Sequence, residues 1–282
     1  MTILECKRYF KRELADLYSD SETAFIYSFL VEKIVGFGLH QQRRFSDQEL
    51  LQQDQEELEV QLQELKTGKP YQQILGETEF YGLLFSVNEH VLIPRPETEE
   101  LLEIAISTIR DEFAKDSQPN ILDIGTGSGI IPIVLKKYFQ NAEVQTMDIS
   151  KDAILVATKN AEKHQLDIQF HQADYLNFSL QEEFDIIISN PPYIGKDEFN
   201  KIGFGVKNFE PNIALFSPTE DALLFYRKIA LDGLQHLKNG GLVFLEINQK
   251  LGLETLALFE AYSEAKLIQD LSGNDRFVVA KK

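Results

Sequence analysis

At 282 residues, with 43% apolar and 26% charged side chains, the chain has a soluble globular composition and room for one large domain or two ordinary ones. A net charge of −17 opposes a sequence-independent grip on nucleic acid, which needs Lys and Arg to neutralise phosphates. The single cysteine, Cys6, excludes an internal disulfide and a thiolate metal cluster.

From Met1 to Leu14, Glu5, Lys7, Arg8, Lys11, Arg12 and Glu13 interrupt any apolar signal core. No apolar run approaches membrane-spanning length. The expectation is a cytoplasmic protein with no membrane partner. The histidines (His40, His90, His164, His171 and His236) show no paired ligand spacing, so no metal is expected.

Residues 1 to about 67 read as helices over Ile3 to Leu17, Ser21 to Leu39 and Asp47 to Lys66. Ser21 and Asp47 are expected N-caps, and Gly36 and Gly38 are expected to end the second helix. Phe25, Phe29 and Lys33 adjoin Ile26, Leu30 and Ile34 in an amphipathic pattern. This is a small helical module with no catalytic constellation. Thr67-Gly68-Lys69-Pro70 breaks it. Phe80 to Val87 and His90 to Ile93, joined through Asn88-Glu89, suggest a short hairpin. Pro96 and the acidic run Glu97, Glu99, Glu100 then open a helix, with proline and carboxylates suiting its first turn.

From Asn120 strands and helices alternate. Strands are expected over Ile121 to Ile124, Glu143 to Met147, Ile168 to Ala173, Phe184 to Ser189 and Leu242 to Ile247. Helices fall at about 129 to 139, 151 to 163 and 220 to 238. Alternation of this kind means parallel strands joined by right-handed crossovers. Lys266 to Leu271 and Arg276 to Ala280, around Ser272-Gly273-Asn274-Asp275, form a final hairpin that makes the last strand antiparallel.

Leu122-Asp123-Ile124-Gly125-Thr126-Gly127-Ser128-Gly129 is a strand, a glycine loop and the start of a helix. Glycines there allow tight turning and close approach to a ligand. Asp148 ends the next strand, where a carboxylate can bind ribose hydroxyls. A dinucleotide loop needs glycine at position 130, where Ile130 stands. Asp123 beside the loop suits a cationic ligand and repels a pyrophosphate. Together these favour S-adenosylmethionine, with Asp123, Gly125, Thr126, Gly127, Ser128, Gly129 and Asp148 as candidate contacts. Asp174 or Tyr175, after the third strand, is expected at the adenine: Asp174 accepting from its amino group, Tyr175 packing on its face.

The buried run Phe184 to Ile188 stops at Ser189-Asn190-Pro191-Pro192-Tyr193. Two prolines force the chain out of the sheet at the strand end where open α/β sheets bind ligands. The Asn190 side-chain oxygen and the Pro191 carbonyl can each accept one N–H of a planar NH₂ group, aiming its lone pair at a methyl donor. Tyr193 can stack on that group or face its developing charge. Asn190, Pro191, Pro192 and Tyr193 are therefore the candidate catalytic residues, with Asn190 also bordering the cofactor.

Asn190-Pro191-Pro192-Tyr193 resembles the motif of methyltransferases acting on planar NH₂ groups in adenine, guanine or glutamine. More of the chain resembles the N5-glutamine methyltransferases of peptide chain release factors (the PrmC/HemK family). The matching pieces are Gly76 to Gly82, Leu92-Ile93-Pro94-Arg95-Pro96-Glu97-Thr98-Glu99, the 122–129 loop, Asn190 to Tyr193, and Glu210-Pro211 with Ala214-Leu215. The resemblance implies a class I (Rossmann-like) methyltransferase: an α/β fold whose seven-stranded, mostly parallel sheet has an antiparallel last strand. It implies residues 1–75 as a helical domain recognising the substrate, 76–95 as a linker with the hairpin, and 96–282 as the methyltransferase domain. The implied substrate is the glutamine of the Gly-Gly-Gln motif in class I release factors, whose domain tends to be basic. The sequence departs from the family at Gln73, where a tyrosine is usual, and after Glu246, where Ile247-Asn248-Gln249 lacks a glycine. Glu210 is expected to brace the motif loop, and Glu246 to end a strand near the cofactor. Two other readings share these residues: an N-methyltransferase acting on adenine or guanine in nucleic acid, which the acidic charge opposes, and a non-catalytic module retaining the fold.

Overall fold

The computed structural model describes residues 1–195, 198 and 203–282. They divide into one unit of Met1–Gly76 with Gly203–Phe209 and a second of Glu77–Ile202 with Glu210–Lys282. This differs from the expected division in two ways: the hairpin joins the second unit rather than a linker, and a later segment joins the first.

In the first unit the helices are α1 (Ile3–Glu13), α2 (Asp20–Val35), α3 (Leu39–Arg44), α4 (Gln52–Lys66), α5 (Tyr71–Leu75) and, from later in the chain, α9 (Phe204–Phe209). Reciprocal capping boxes start the first two: Thr2 with Glu5, and Ser19 with Glu22. Ser19 caps α2 instead of Ser21 because only Ser19 has a glutamate three residues on to close the box. Nor does Asp47 cap a helix, since α4 begins after Leu51. Gly36 ends α2 in the left-handed conformation, φ 75°. Phe10, Ile26, Tyr27, Leu30, Leu58, Leu62 and Leu65 build the core, with the Tyr27 hydroxyl donating to the Ile3 carbonyl at 2.8 Å. Phe25 and Phe29 lie outside it and are exposed. Gln73, at the position of departure, is buried and donates from Nε2 to the Phe209 carbonyl at 2.8 Å, tying α5 to α9.

The second unit opens with an antiparallel hairpin of β1 (Glu77–Phe80) and β2 (Leu83–Ser86). The expected pairing of 80–87 with 90–93 is incorrect. Tyr81 (φ 53°) and Gly82 (φ 68°) both take positive φ and make the two-residue turn, because that twist matches the flanking strands. Residues 90–93 are irregular.

Seven strands follow: β3 (Asn120–Ile124), β4 (Glu143–Asp148), β5 (Gln169–Gln172), β6 (Phe184–Ser189), β7 (Leu237–Glu246), β8 (Glu264–Gln269) and β9 (Asp275–Lys281). Their order is β5-β4-β3-β6-β7-β9-β8, parallel from β5 to β7. The last strand, β9, inserts between β7 and β8 and runs antiparallel to both. The helices of this unit are α6 (Pro96–Glu112), α7 (Ile130–Tyr138), α8 (Lys151–His164), α10 (Asn212–Leu215), α11 (Leu224–His236) and α12 (Gly252–Ala257).

The two-residue period of a strand explains the layering. Ile186 and Ile188 join Leu101, Leu102, Ile133 and Phe244 on one face, while Ile187 joins Tyr226, Ile229, Val243 and Leu245 on the other. Both faces are dry, which is why β6 reads as an unbroken apolar run. Each such side chain contributes about 1.5–3 kcal/mol on burial. Ile124 pairs with Met147 and with Ser189, and Ser189 with Leu245. The carboxyl ends of β3, β4, β6 and β7 are thereby level, and the chain segments that leave them meet.

Candidate active site

Where those strand ends meet, the second unit holds a cavity of about 770 Å³, within the size range of small-molecule sites. Gly125, Thr126, Gly127, Ser128, Asp148, Asp174, Tyr175, Asn190 and Pro192 of the expected set line it, and Asp123, Gly129, Pro191 and Tyr193 do not. The fold explains each placement.

Gly125, Gly127 and Gly129 all have positive φ (89°, 52° and 83°), which favours glycine over any residue with a Cβ. Their surroundings differ. A Cβ on Gly127 would meet nothing within 4 Å, and one on Gly125 only the Asn190 carbonyl at 3.8 Å. Those two leave open a backbone cradle. Gly129 instead packs on α8, its notional Cβ 3.0 Å from that of Ala157, so it serves helix packing. Asp148 shapes the loop from the next strand: its carboxylate accepts from the Gly127 N–H at 3.0 Å and the Ser150 N–H at 2.8 Å. Burial raises its pKa while those backbone bonds oppose the rise.

Asp123 is fully buried beneath the loop. Its Oδ2 accepts from the Thr146 hydroxyl at 2.6 Å, which in turn lies 2.6 Å from that of Thr126, and Oδ1 has no partner among the described residues. Burial pushes this carboxyl up to about 7, with the Asp148 charge adding to the rise. It supports the loop from below.

Asp174 and Tyr175 diverge. The Asp174 carboxylate caps the turn that follows, accepting from the Leu176 N–H at 3.1 Å and from Asn177 Nδ2 at 2.6 Å. The Tyr175 ring is buried, with its hydroxyl donating to Asp232 at 2.8 Å and Lys228 Nζ 4.7 Å from the ring centre.

At the end of β6 the Asn190 amide is held by two elements far away in sequence. Its Nδ2 donates to Thr98 Oγ1 of α6 at 3.1 Å and to Glu246 Oε2 of β7 at 2.9 Å. Thr98 itself donates to the same Glu246 oxygen at 2.7 Å, and the Tyr193 hydroxyl donates to Oε1 at 3.2 Å. Tyr193 is thus turned into this network and away from the cavity wall, contrary to the stacking expected of it. The Glu246 carboxyl is fully buried and pushed up to about 7 by burial, with Thr98, the nearby Arg276 charge and Tyr193 lowering it. Asn248 pins the same loop, donating from Nδ2 to the Tyr193 carbonyl at 3.2 Å and to Glu198 at 2.8 Å. Here the sequence departs from the family pattern, and the asparagine supplies the link.

Glu210 does not reach the Asn190 loop. It accepts from the Ile93 N–H at 3.0 Å and pairs with Arg95 at 2.5 Å, so it braces the 92–96 segment that leads into α6. Thr98 is the residue that sequence reading passed over; its signal was its place inside the specific block from Leu92 to Glu99. Among the described residues no cluster of His, Cys, Asp or Glu could hold a metal ion, and no helix is long and apolar enough to cross a membrane.

Residues 102–203 match the methyltransferase small domain family. The release factor glutamine methyltransferase of Flavobacterium psychrophilum is 42% identical over 288 residues, covering 99% of this chain and 98% of that protein. The protein of the same name from Bacteroides thetaiotaomicron is 35% identical and covers 97% and 98%. Among solved structures, a methyltransferase from Pyrococcus furiosus is 18% identical, with a TM-score of 0.53 over 75% of this chain and 94% of that one. That likeness is one of fold.

Proposed function

Because the chain belongs to the release factor glutamine methyltransferases, we propose how its residues move a methyl group from S-adenosylmethionine to the side-chain nitrogen (N5) of the Gly-Gly-Gln glutamine in class I peptide chain release factors. The observation that carries this reading is the Asn190 amide. The Asn190 Nδ2 is turned toward Thr98 and Glu246, so the oxygen is the polar atom left for a substrate at the cavity.

The cofactor fits the cradle of Gly125 and Gly127, where a Cβ would intrude on open space, with Asp148 and Asp174 on the same cavity wall. Bound there, it supplies a methyl on a sulfonium, an electrophile carrying positive charge. Asp148 accepts from the ribose hydroxyls, since each carboxylate oxygen keeps a lone pair beyond its backbone bond. Asp174 accepts from the adenine amino group, and Thr126 and Ser128 line the loop between. Asp123 and Gly129 shape that loop from behind. The negative charge of this wall complements the sulfonium.

Asn190 Oδ1 accepts one N–H of the substrate amide, and the Pro191 carbonyl, outside the cavity lining but next in the rigid turn, is assigned to accept the other. Two acceptors in fixed positions orient the planar NH₂ so that its lone pair meets the methyl carbon. As the N–C bond forms and the S–C bond breaks, positive charge grows on nitrogen beside two oxygens already in place to stabilise it. The surplus proton then leaves for solvent, so a strong base is unnecessary.

The helical unit, Met1–Gly76 with Gly203–Phe209, is assigned to recognising the release factor, a substrate that places the enzyme in the cytoplasm. Mass spectrometry tests the account. A release factor incubated with the protein and labelled S-adenosylmethionine should gain one methyl on its Gly-Gly-Gln glutamine, and none with Asn190→Ala. A fully active Asn190→Ala protein would remove the role given to Asn190.

A further inference from the structure

We propose that Glu246 and Thr98 are positioning residues that accept from the Asn190 Nδ2, hold its amide with the oxygen toward the substrate, and pass the Glu246 charge through it. The inference rests on the role given to Asn190 above.

A side-chain amide is nearly symmetric in shape, and turning it over exchanges an acceptor for a donor at the cavity. A donor there would face the N–H groups of the substrate amide and repel them. Something must therefore choose the orientation, and a carboxylate does so because it can only accept. Glu246 Oε2 receives the Thr98 hydroxyl at 2.7 Å and Asn190 Nδ2 at 2.9 Å, and Oε1 receives the Tyr193 hydroxyl at 3.2 Å. Thr98 has then spent its one hydrogen on Glu246. Its oxygen can only accept, and it does so from Asn190 Nδ2 at 3.1 Å. One acceptor-only group thus fixes the sense of every bond around it.

The arrangement also carries charge. Glu246 is fully buried, and a buried carboxylate bonded to the amide nitrogen polarises the amide and makes its oxygen a stronger acceptor. That helps most when the substrate nitrogen becomes cationic, so the benefit belongs to the transition state and appears in kcat rather than KM. An ionised Glu246 is needed. Its burial, which pushes the carboxyl up to about 7, sets the acid limb of the rate. Among the described residues the other charged or titratable groups facing it are Tyr193, Tyr226 of α11, Arg276 of β9 and Glu97 of α6.

The test compares single-turnover rate, release factor KM and S-adenosylhomocysteine Kd for the wild type, Asn190→Ala, Thr98→Val, Thr98→Ser and Glu246→Gln. Glu246→Gln introduces a donor that can pair with Asn190 Oδ1 and reverse the amide, and should slow transfer roughly ten- to a hundredfold. Thr98→Val should slow it about fivefold, and Thr98→Ser, which restores the hydroxyl, should come within about twofold of wild type. KM and Kd should move less than about twofold. The wild-type rate should fall as pH drops through about 7, and that limb should vanish in Glu246→Gln. Equal losses in Thr98→Val and Thr98→Ser would mean packing alone and overturn the inference, even if Glu246→Gln does not fold. So would an acid limb unchanged in Glu246→Gln, or wild-type rates in both the glutamine and valine variants beside an inactive Asn190→Ala. An active Asn190→Ala would instead overturn the account of Asn190, and this inference with it.

Discussion

Asn190 and Asp148 both line the cavity, yet their loss should have opposite signatures. Asn190→Ala removes the proposed acceptor for the substrate and leaves the glycine cradle intact, so turnover should disappear while calorimetry shows cofactor Kd within about twofold of wild type. Asp148→Ala removes the proposed ribose partner and also the acceptor that holds the Gly127 N–H. Cofactor Kd should rise roughly tenfold or more, and an unchanged Kd would sink the assignment. Asp123 illustrates a different residue-scale effect. Its folded-state pKa is raised to about 7 from 3.8 by burial, so the folded protein holds this proton more tightly than the unfolded chain does. The stability this contributes is complete below the unfolded value and is lost as pH rises through about 7. Asp123→Asn keeps an acceptor for Thr146 and has no charge to bury. In urea unfolding it should gain on the wild type by up to roughly 3 kcal/mol at pH 8 and show little difference near pH 4.

At the scale of elements, the glycine loop separates two demands that the sequence presents as one pattern. Gly129→Ala must fit a Cβ 3.0 Å from Ala157 at φ 83°. It should destabilise the second unit by about 2–4 kcal/mol, read as a lower urea midpoint. Gly127→Ala has open space, so the midpoint should fall by only the equivalent of about 1 kcal/mol, with the loss appearing in cofactor affinity instead. The sheet was legible because periodicity and strand-ending signals are local: the apolar run of Phe184 to Ile188, the two prolines after Asn190, the glycines after Ile124. The hairpin was misplaced because Tyr81 bears a Cβ and gives no warning that it will take positive φ beside Gly82. The start of α2 was misplaced because two serines compete and only the reciprocal bond with Glu22 decides between them. The Asn190 network was legible only in its Asn190 part. Thr98, Asn190 and Glu246 sit on α6, the end of β6 and the end of β7, separated by 92 and 56 residues, and no pattern within a single element links them.

Across the whole molecule the excess of carboxylates, −17 in all, falls mostly in the second unit, because the helical unit carries nearly balanced acidic and basic residues. The acidic excess thus belongs to the unit with the cavity, and the proposed basic substrate domain would be attracted to that unit. Long-range attraction of this kind is screened once the Debye length falls below the spacing of the charges, from about 14 Å at 0.05 M salt to about 4 Å at 0.5 M. The release factor KM should therefore rise several-fold, on the order of fivefold, across that series. The rate of single-turnover transfer at saturating substrate should change little, because Glu246 and Thr98, which hold Asn190, are buried away from salt. A KM that stays level with salt would mean that recognition rests on shape and apolar contact in the helical unit. A saturated rate that falls with KM would mean that salt reaches the buried network itself.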